Sequence, residues 1–197
     1  LDSPIIALAV GAEAVTNYAV PARLGTFALL LVASIYSPLW ASNGEALARG
    51  DVKWVRSSSW RMCLMGGAAV SLCGLLLTVF ADPVIELWMG RSFPDQQLIV
   101  GLVVATFAIS AFVAPYIMIL NSLGETSAQI IGWSAFLLVT IPTKFLVVDA
   151  TALWVVPLVS LFGYGLVVAP VTLIGALRRL SLVESGARAG PARPVSV

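Results

Sequence analysis

Long stretches without a charged side chain limit the folds open to this sequence more than any other feature. Each stretch reaches the roughly 17–25 apolar residues that an α-helix needs to cross a hydrocarbon core about 30 Å thick. The stretches do not alternate apolar and polar residues as barrel strands do, so each must satisfy its own backbone hydrogen bonds as a helix. The sequence therefore predicts an all-α integral membrane protein. The charge-free stretches are residues 24–44, 62–81, 96–124, 126–143 and 150–177.

The composition excludes several classes of protein. Only 11% of the 197 residues are charged, whereas soluble domains have about 25%, so the chain cannot cover an ordinary water-facing surface. It contains no His, the commonest general base and metal ligand. It also lacks a P-loop motif for ATP, and its acidic residues are scattered singly. We therefore expect no enzymatic activity, no cofactor and no bound metal, and the absence of a basic domain indicates no nucleic-acid partner.

We expect one transmembrane lobe over residues 1–176, with one partial and five complete spans, and a disordered cytoplasmic tail over 177–197. The first apolar run is too short to span, so we expect a fragment whose first helix begins upstream. A natural half-size protein that dimerises is the open alternative. The charged residues of segment 45–56 fall on one side of a helical wheel, which predicts an interfacial helix there. The predicted spans are about 2–10, 14–40, 60–80, 97–120, 127–148 and 151–176.

The distribution of basic residues predicts the orientation. Segment 42–61 and the tail after Leu177 together hold eight of the eleven Lys and Arg residues. By the positive-inside rule both regions are expected to be cytoplasmic. Four predicted spans separate them, and an even number of spans returns a chain to the same side. We therefore predict a multi-pass protein with a cytoplasmic C-terminus.

Several local patterns occur in a familiar order. In this order and spacing they resemble the C-terminal half of the polysaccharide-biosynthesis and O-antigen flippases. These belong to the multidrug/oligosaccharidyl-lipid/polysaccharide exporter superfamily, and the resemblance covers about residues 2–176. Each pattern is mostly apolar, and the ordered set carries the resemblance. The patterns are DSPIIALAVG (2–11), AVTNYAVPARL (14–24), SPLW (37–40), EALARGDVKWVR (45–56), VIELWMG (84–90) and LNSLG (120–124).

The resemblance implies a six-helix lobe that forms half of a two-lobe, MATE-like exporter fold. The other half would be an N-terminal lobe of the same chain or a partner subunit. The implied activity is the flipping of a polyprenyl-diphosphate-linked oligosaccharide across the bacterial cytoplasmic (inner) membrane, by alternating access driven by an H⁺ or Na⁺ gradient. The implied partners are this lipid-linked oligosaccharide and membrane lipids. A lipid II flippase, a MATE-type drug exporter and a non-transporting membrane scaffold remain as alternatives.

The resemblance also implies that the first two helices of the lobe line the transport cavity. Arg23 on the second helix is then the best candidate to bind the diphosphate, because its guanidinium pairs with phosphate in fork geometry. Alternatively, Arg23 snorkels to the outer interface or pairs with Asp2. Asp2 is a candidate to carry the coupling proton, or else only neutralises Arg23.

Other polar residues are weaker candidates. Asn17 and Tyr18 are placed to hydrogen-bond sugar hydroxyls, although turn capping and an interfacial tyrosine are the commoner roles of such residues. We interpret Lys144 and Asp149 as a solvated pair at the outer rim of their helix. This assignment gives Lys144 and Asp149 no part in the candidate site.

Overall fold

The computed structural model describes residues 2–149 and 152–188, and every regular element within them is helical. A π-helical turn, Tyr164–Val168, joins the last two helices into one continuous rod. The helices are α1 (Asp2–Ala9), α2 (Ala12–Gly25), α3 (Phe27–Ala48), α4 (Val52–Val79), α5 (Ala81–Met89), α6 (Gln96–Ser122), α7 (Ser127–Val147), α8 (Val155–Gly163) and α9 (Ala169–Arg188).

Five helical rods in the described part of the chain are long and apolar enough to cross a membrane. The described residues are thus all-α as predicted, and the length and composition of the five rods are consistent with a multi-pass membrane protein. Helices α2 and α3 form one rod because the joint at Thr26 stays in the right-handed helical region. The five rods are Ala12–Ala48, Val52–Val79, Gln96–Ser122, Ser127–Val147 and Val155–Ser185.

Helix α6 lies at the centre of the bundle and contacts α2, α3, α4, α8 and α9. Glycines let α4 approach its neighbours closely. A Cβ atom on Gly66 would lie only 2.7 Å from Cζ of the buried Tyr36, and one on Gly67 would overlap the ring of Phe112. The rings of Tyr36 and Phe112 therefore pack directly against the backbone of α4 at these glycines. Small residues commonly allow such close contact between membrane helices.

The predicted interfacial helix over residues 45–56 is wrong. The segment is a tight reversal in which α3 ends at Ala48 and α4 begins at Val52. Gly50 adopts a left-handed φ of 74°, a conformation that glycine allows at little cost. Asp51 then caps α4 by accepting a hydrogen bond from the Trp54 amide at 3.0 Å.

The apolar side of this reversal packs against protein rather than lipid. Ala46 and Val55 are fully buried, and they cluster with Ile119 of α6 and Leu180 of α9. The helical wheel correctly separated charged from apolar residues. It could not show that the apolar side faces other helices of the same bundle.

The prediction of a disordered tail over 177–197 is wrong as far as Arg188, because α9 continues to that residue. Leu180 is buried in the same cluster as Val55, and Val183 packs against it. The apolar face of α9 therefore continues beyond the predicted end of the span. Residues 189–197 lie outside the described part of the chain.

Ion pairs fix which segments share an end of the bundle. Arg56 lies 3.4 Å from Glu184, and Arg179 pairs with Glu125. Hydrogen bonds from Ser127, followed by the nearby Arg179, lower the pKa of Glu125. The two basic segments therefore lie at one end of the bundle, which we call the Gly50 end. The opposite end, where α1 reverses into α2, we call the Gly11 end.

Candidate functional site

A charged cluster ties four helices together near the Gly11 end. The Lys144 ammonium of α7 donates to Oδ1 of Asp2 in α1 at 2.6 Å and to the Ser160 hydroxyl of α8 at 2.6 Å. The Tyr18 hydroxyl of α2 donates to the other Asp2 oxygen, Oδ2, at 2.6 Å. Both carboxylate oxygens of Asp2 therefore accept a strong hydrogen bond.

The side chains of Lys144 and Asp2 differ in how much of their surface is exposed. The Lys144 side chain is 5% exposed, whereas that of Asp2 is 27% exposed. Tyr18 lies six residues beyond the start of α2 and Lys144 three residues before the end of α7. At 1.5 Å per residue these positions are about 9 Å and about 5 Å from the helix ends. Lys144 thus lies within a candidate membrane span, where an unpaired charge is costly.

Asp2 opens onto a polar cleft on the surface of α1 and α2. The cleft has a volume of about 420 Å³. Its charged lining residues are Asp2 of α1 and Arg23 of α2. A smaller cavity of about 160 Å³ leads from Asp2 and Tyr18 towards Ser160 of α8. The remaining residues of the larger cleft are Ser3, Tyr18, Ala19, Ala22 and Thr26.

Arg23 lies in this cleft with its side chain exposed. Within the described part of the chain no ion pair includes it. Its backbone carbonyl accepts the hydroxyl of Thr26 at 2.6 Å, at the joint between α2 and α3. Arg23 is thus a cation on a candidate spanning helix with no counterion among residues 2–149 and 152–188, so its surroundings are expected to supply water or an anion.

The structure brings three of the four predicted site residues to one cleft. Asp2, Tyr18 and Arg23 all line it, whereas the half-buried Asn17 does not. Asp2 neutralises Lys144 and forms no ion pair with Arg23. The first two helices therefore do present polar side chains on a common face.

The predicted rim pair of Lys144 and Asp149 is wrong. Lys144 is buried and bound to Asp2, while Asp149 is exposed. Lys144 shares the inner face of α7 with Gly132 and Thr140, which are also buried. Thr140 and Lys144 are four residues apart, and Gly132 lies eight residues before Thr140. Spacings of about one and two helical turns between small or polar residues were the sequence signal for this face.

Comparison of the chain with models of protein families, with curated proteins and with solved structures finds no match. The class of protein that the fold defines is an all-α protein with five candidate membrane spans in its described residues. The resemblance to flippases rests on the residue patterns alone.

Proposed function

We propose that this chain forms one half of a transporter that flips polyprenyl-diphosphate-linked oligosaccharides across the bacterial cytoplasmic membrane. The observation that carries the proposal is Arg23, which forms no ion pair with any described residue, beside Asp2 in a polar cleft between α1 and the spanning α2. The cargo has a polar head with a diphosphate, which needs a hydrated cationic path, while its polyprenyl tail can stay in the bilayer. The resemblance over residues 2–176 points to the same cargo.

Arg23 is the proposed diphosphate ligand. A guanidinium offers five donors in a fixed planar fork that matches phosphate oxygens. Ser3, Tyr18 and Thr26 line the same cleft and supply hydroxyl groups for the sugar. A second lobe, either from the same chain or from a partner subunit, would close the open side of the cleft.

Asp2 is the proposed coupling group. Its carboxylate faces the cleft on one side and the Lys144 ammonium on the other. A coupling cation, H⁺ or Na⁺, that binds this carboxylate from the cleft would compete with Lys144 for it and weaken the ionic tie between α1 and α7.

Substitution of Arg23 tests the proposed function. In cells that lack their own copy, the full protein with Arg23→Ala should insert normally but lose export of surface polysaccharide. We expect a loss of about tenfold to a hundredfold, equivalent to one charged hydrogen bond of about 1.5–3 kcal/mol. Arg23→Lys should restore part of the activity because it keeps the charge but loses the fork.

Arg49→Ala is the matched control for this experiment. Arg49 is exposed at the Gly50 end, where it caps α3, and its ion-pair partner among the described residues is Glu45, 3.7 Å away in the last turn of that helix. Its loss removes one positive charge from the protein without touching the cleft, so export should stay normal. Normal export by the Arg23→Ala protein would remove Arg23 from the mechanism.

A further inference from the structure

A second pocket opens at the Gly50 end, between α4, α6 and α9. It has a volume of about 500 Å³, and its walls are mostly apolar. Two basic side chains, Lys53 and Arg56, belong to its lining and are exposed. The pocket shares no residue with the cleft at α1 and α2, and its interpretation does not depend on the proposed function. The remaining lining residues are Ser57, Ser59, Trp60, Tyr116, Ile119, Leu177 and Leu180.

Both basic residues of this pocket are able to bind a further anion. Lys53 and Arg56 are three positions apart on α4, so they lie on the same face of the helix. Lys53 belongs to none of the ion pairs found among residues 2–149 and 152–188. Arg56 lies 3.4 Å from Glu184 through one terminal nitrogen, and its side chain remains 56% exposed. An additional anion can therefore reach both cations.

Ser59 adds an observation from inside the pocket. Its side chain lines the pocket but is only 1% exposed, and its hydroxyl has no hydrogen-bond partner among the described residues. A buried hydroxyl without a partner is unfavourable. A ligand oxygen that enters the pocket between α4 and α9 would satisfy it.

We propose that this pocket binds an anionic glycerophospholipid. The phosphate lies on Lys53 and Arg56, a glycerol or ester oxygen meets Ser59, and an acyl chain follows the apolar wall formed by Tyr116 and the exposed Leu177. Cations at the mouth and an apolar interior match the two ends of such a lipid. Trp60 is also exposed beside them, as is typical at the level of membrane headgroups.

Charge selects this occupant over a second copy of the chain. The Gly50 end carries further basic residues, among them Arg49, Arg61 and Arg178. The same end of a second copy would bring these like charges against Lys53 and Arg56. An anionic lipid instead neutralises the cations and gains the apolar wall.

Thermal unfolding of the purified full protein in detergent tests the proposal. Added phosphatidylglycerol should raise the unfolding temperature, whereas phosphatidylcholine and inorganic phosphate should not. Lys53→Gln and Arg56→Gln should each weaken the apparent affinity for phosphatidylglycerol about fivefold, the effect of one basic residue near an anionic surface. Ser59→Ala should also weaken it, because the ligand loses a hydrogen-bond donor.

Two variants serve as controls. Arg49→Gln removes a positive charge at the same end but outside the pocket, so it should leave the affinity unchanged. Glu184→Gln removes the carboxylate beside Arg56 and keeps the cation. This variant should still bind phosphatidylglycerol, because the lipid phosphate contacts Arg56 itself and does not need the ion pair.

Equal stabilisation by phosphatidylcholine would overturn the proposal, because it would show an apolar groove without headgroup recognition. An unchanged response to phosphatidylglycerol in the Lys53→Gln, Arg56→Gln double variant would also overturn it. So would a dimer that forms with rising protein concentration and abolishes lipid binding. Native mass spectrometry of the wild-type protein with an equal mixture of the two lipids gives an independent readout, and retention of phosphatidylglycerol over phosphatidylcholine is the expected result.

Discussion

Lys144 places a positive charge among α1, α7 and α8, with only 5% of its side chain exposed. The Asp2 carboxylate and the Ser160 hydroxyl each accept a hydrogen bond from it. In a buried pair the mutual attraction mainly offsets the cost of removing both charges from water. Removal of one partner should therefore be more harmful than removal of both.

A double-mutant cycle tests this coupling. Asp2→Asn leaves the covered ammonium without a counterion and should lower the free energy of unfolding by about 3–5 kcal/mol. Lys144→Met leaves Asp2 open to the cleft and should cost less, about 1–3 kcal/mol. The protein with both changes should be more stable than the one with Asp2→Asn alone, as measured by thermal unfolding in detergent.

Asp149→Asn is the control for the cycle, because Asp149 is an exposed carboxylate close to Lys144 in the sequence. It should change the stability by less than about 0.5 kcal/mol. Additive effects of Asp2→Asn and Lys144→Met would contradict the interpretation, because they would show that the two residues act separately.

Only part of this cluster could be predicted from the sequence. Asp2, Tyr18 and Arg23 were candidates because the family resemblance implies that the first two helices line a cavity. Lys144 is 142 positions from Asp2, and a single sequence contains no signal that aligns α7 with α1. Lys144 also lies near the end of α7, a position typical of a solvated residue, and for this reason the sequence alone predicts a solvated rim pair.

At the scale of helices, Gly66 controls how closely α3 and α4 pack. A Cβ atom there would lie 2.7 Å from Cζ of Tyr36. Tyr36 is 1% exposed and its hydroxyl donates to the Met62 carbonyl at 3.2 Å, so its ring has little freedom to move. Gly66→Ala should lower the free energy of unfolding by about 1–3 kcal/mol through overpacking.

Gly44→Ala provides the matched control. Gly44 is also inside a helix, α3, but nothing lies within 4 Å of a Cβ atom built on it. The change should be neutral or stabilise the protein by up to about 1 kcal/mol, because alanine favours helix. Equal unfolding temperatures for the two variants would show that close packing at Gly66 has no special role.

The lengths of helices could be predicted well where apolar residues fill a span and poorly where helices continue beyond it. The predicted spans 97–120 and 127–148 agree closely with α6 and α7. The segments near Gly50 and after Leu177 were misjudged because their apolar residues are interrupted by charges. Val55 and Leu180 are nevertheless buried in the same apolar cluster. This tertiary packing stabilises the parts of α4 and α9 that lie beyond the predicted spans.

At the scale of the whole molecule, the described part of the bundle has a basic Gly50 end and a polar cleft on α1 and α2. The basic segments 42–61 and 178–188 share the Gly50 end, as the even number of intervening spans predicted, and the cytoplasmic location of this end stays a prediction. Composition and the length of charge-free stretches were sufficient to predict a multi-pass helical protein. They could not predict the arrangement of the helices, because continuously apolar spans give little information on which side faces protein.

Cysteine accessibility measures whether the cleft around Arg23 is open to water, as the proposed function requires. In the full protein with Cys63→Ala and Cys73→Ala, single cysteines are placed at Ala19 and Ala22, which line the cleft, and at Ala33, which is exposed on an apolar part of α3. Water-soluble thiol reagents react with the thiolate, which needs a hydrated site. If the cleft is hydrated, we expect ready modification at positions 19 and 22 in membranes and none at position 33. No modification at any of the three positions would show that Arg23 faces a dry surface and would rule out a hydrated path for the cargo at this cleft.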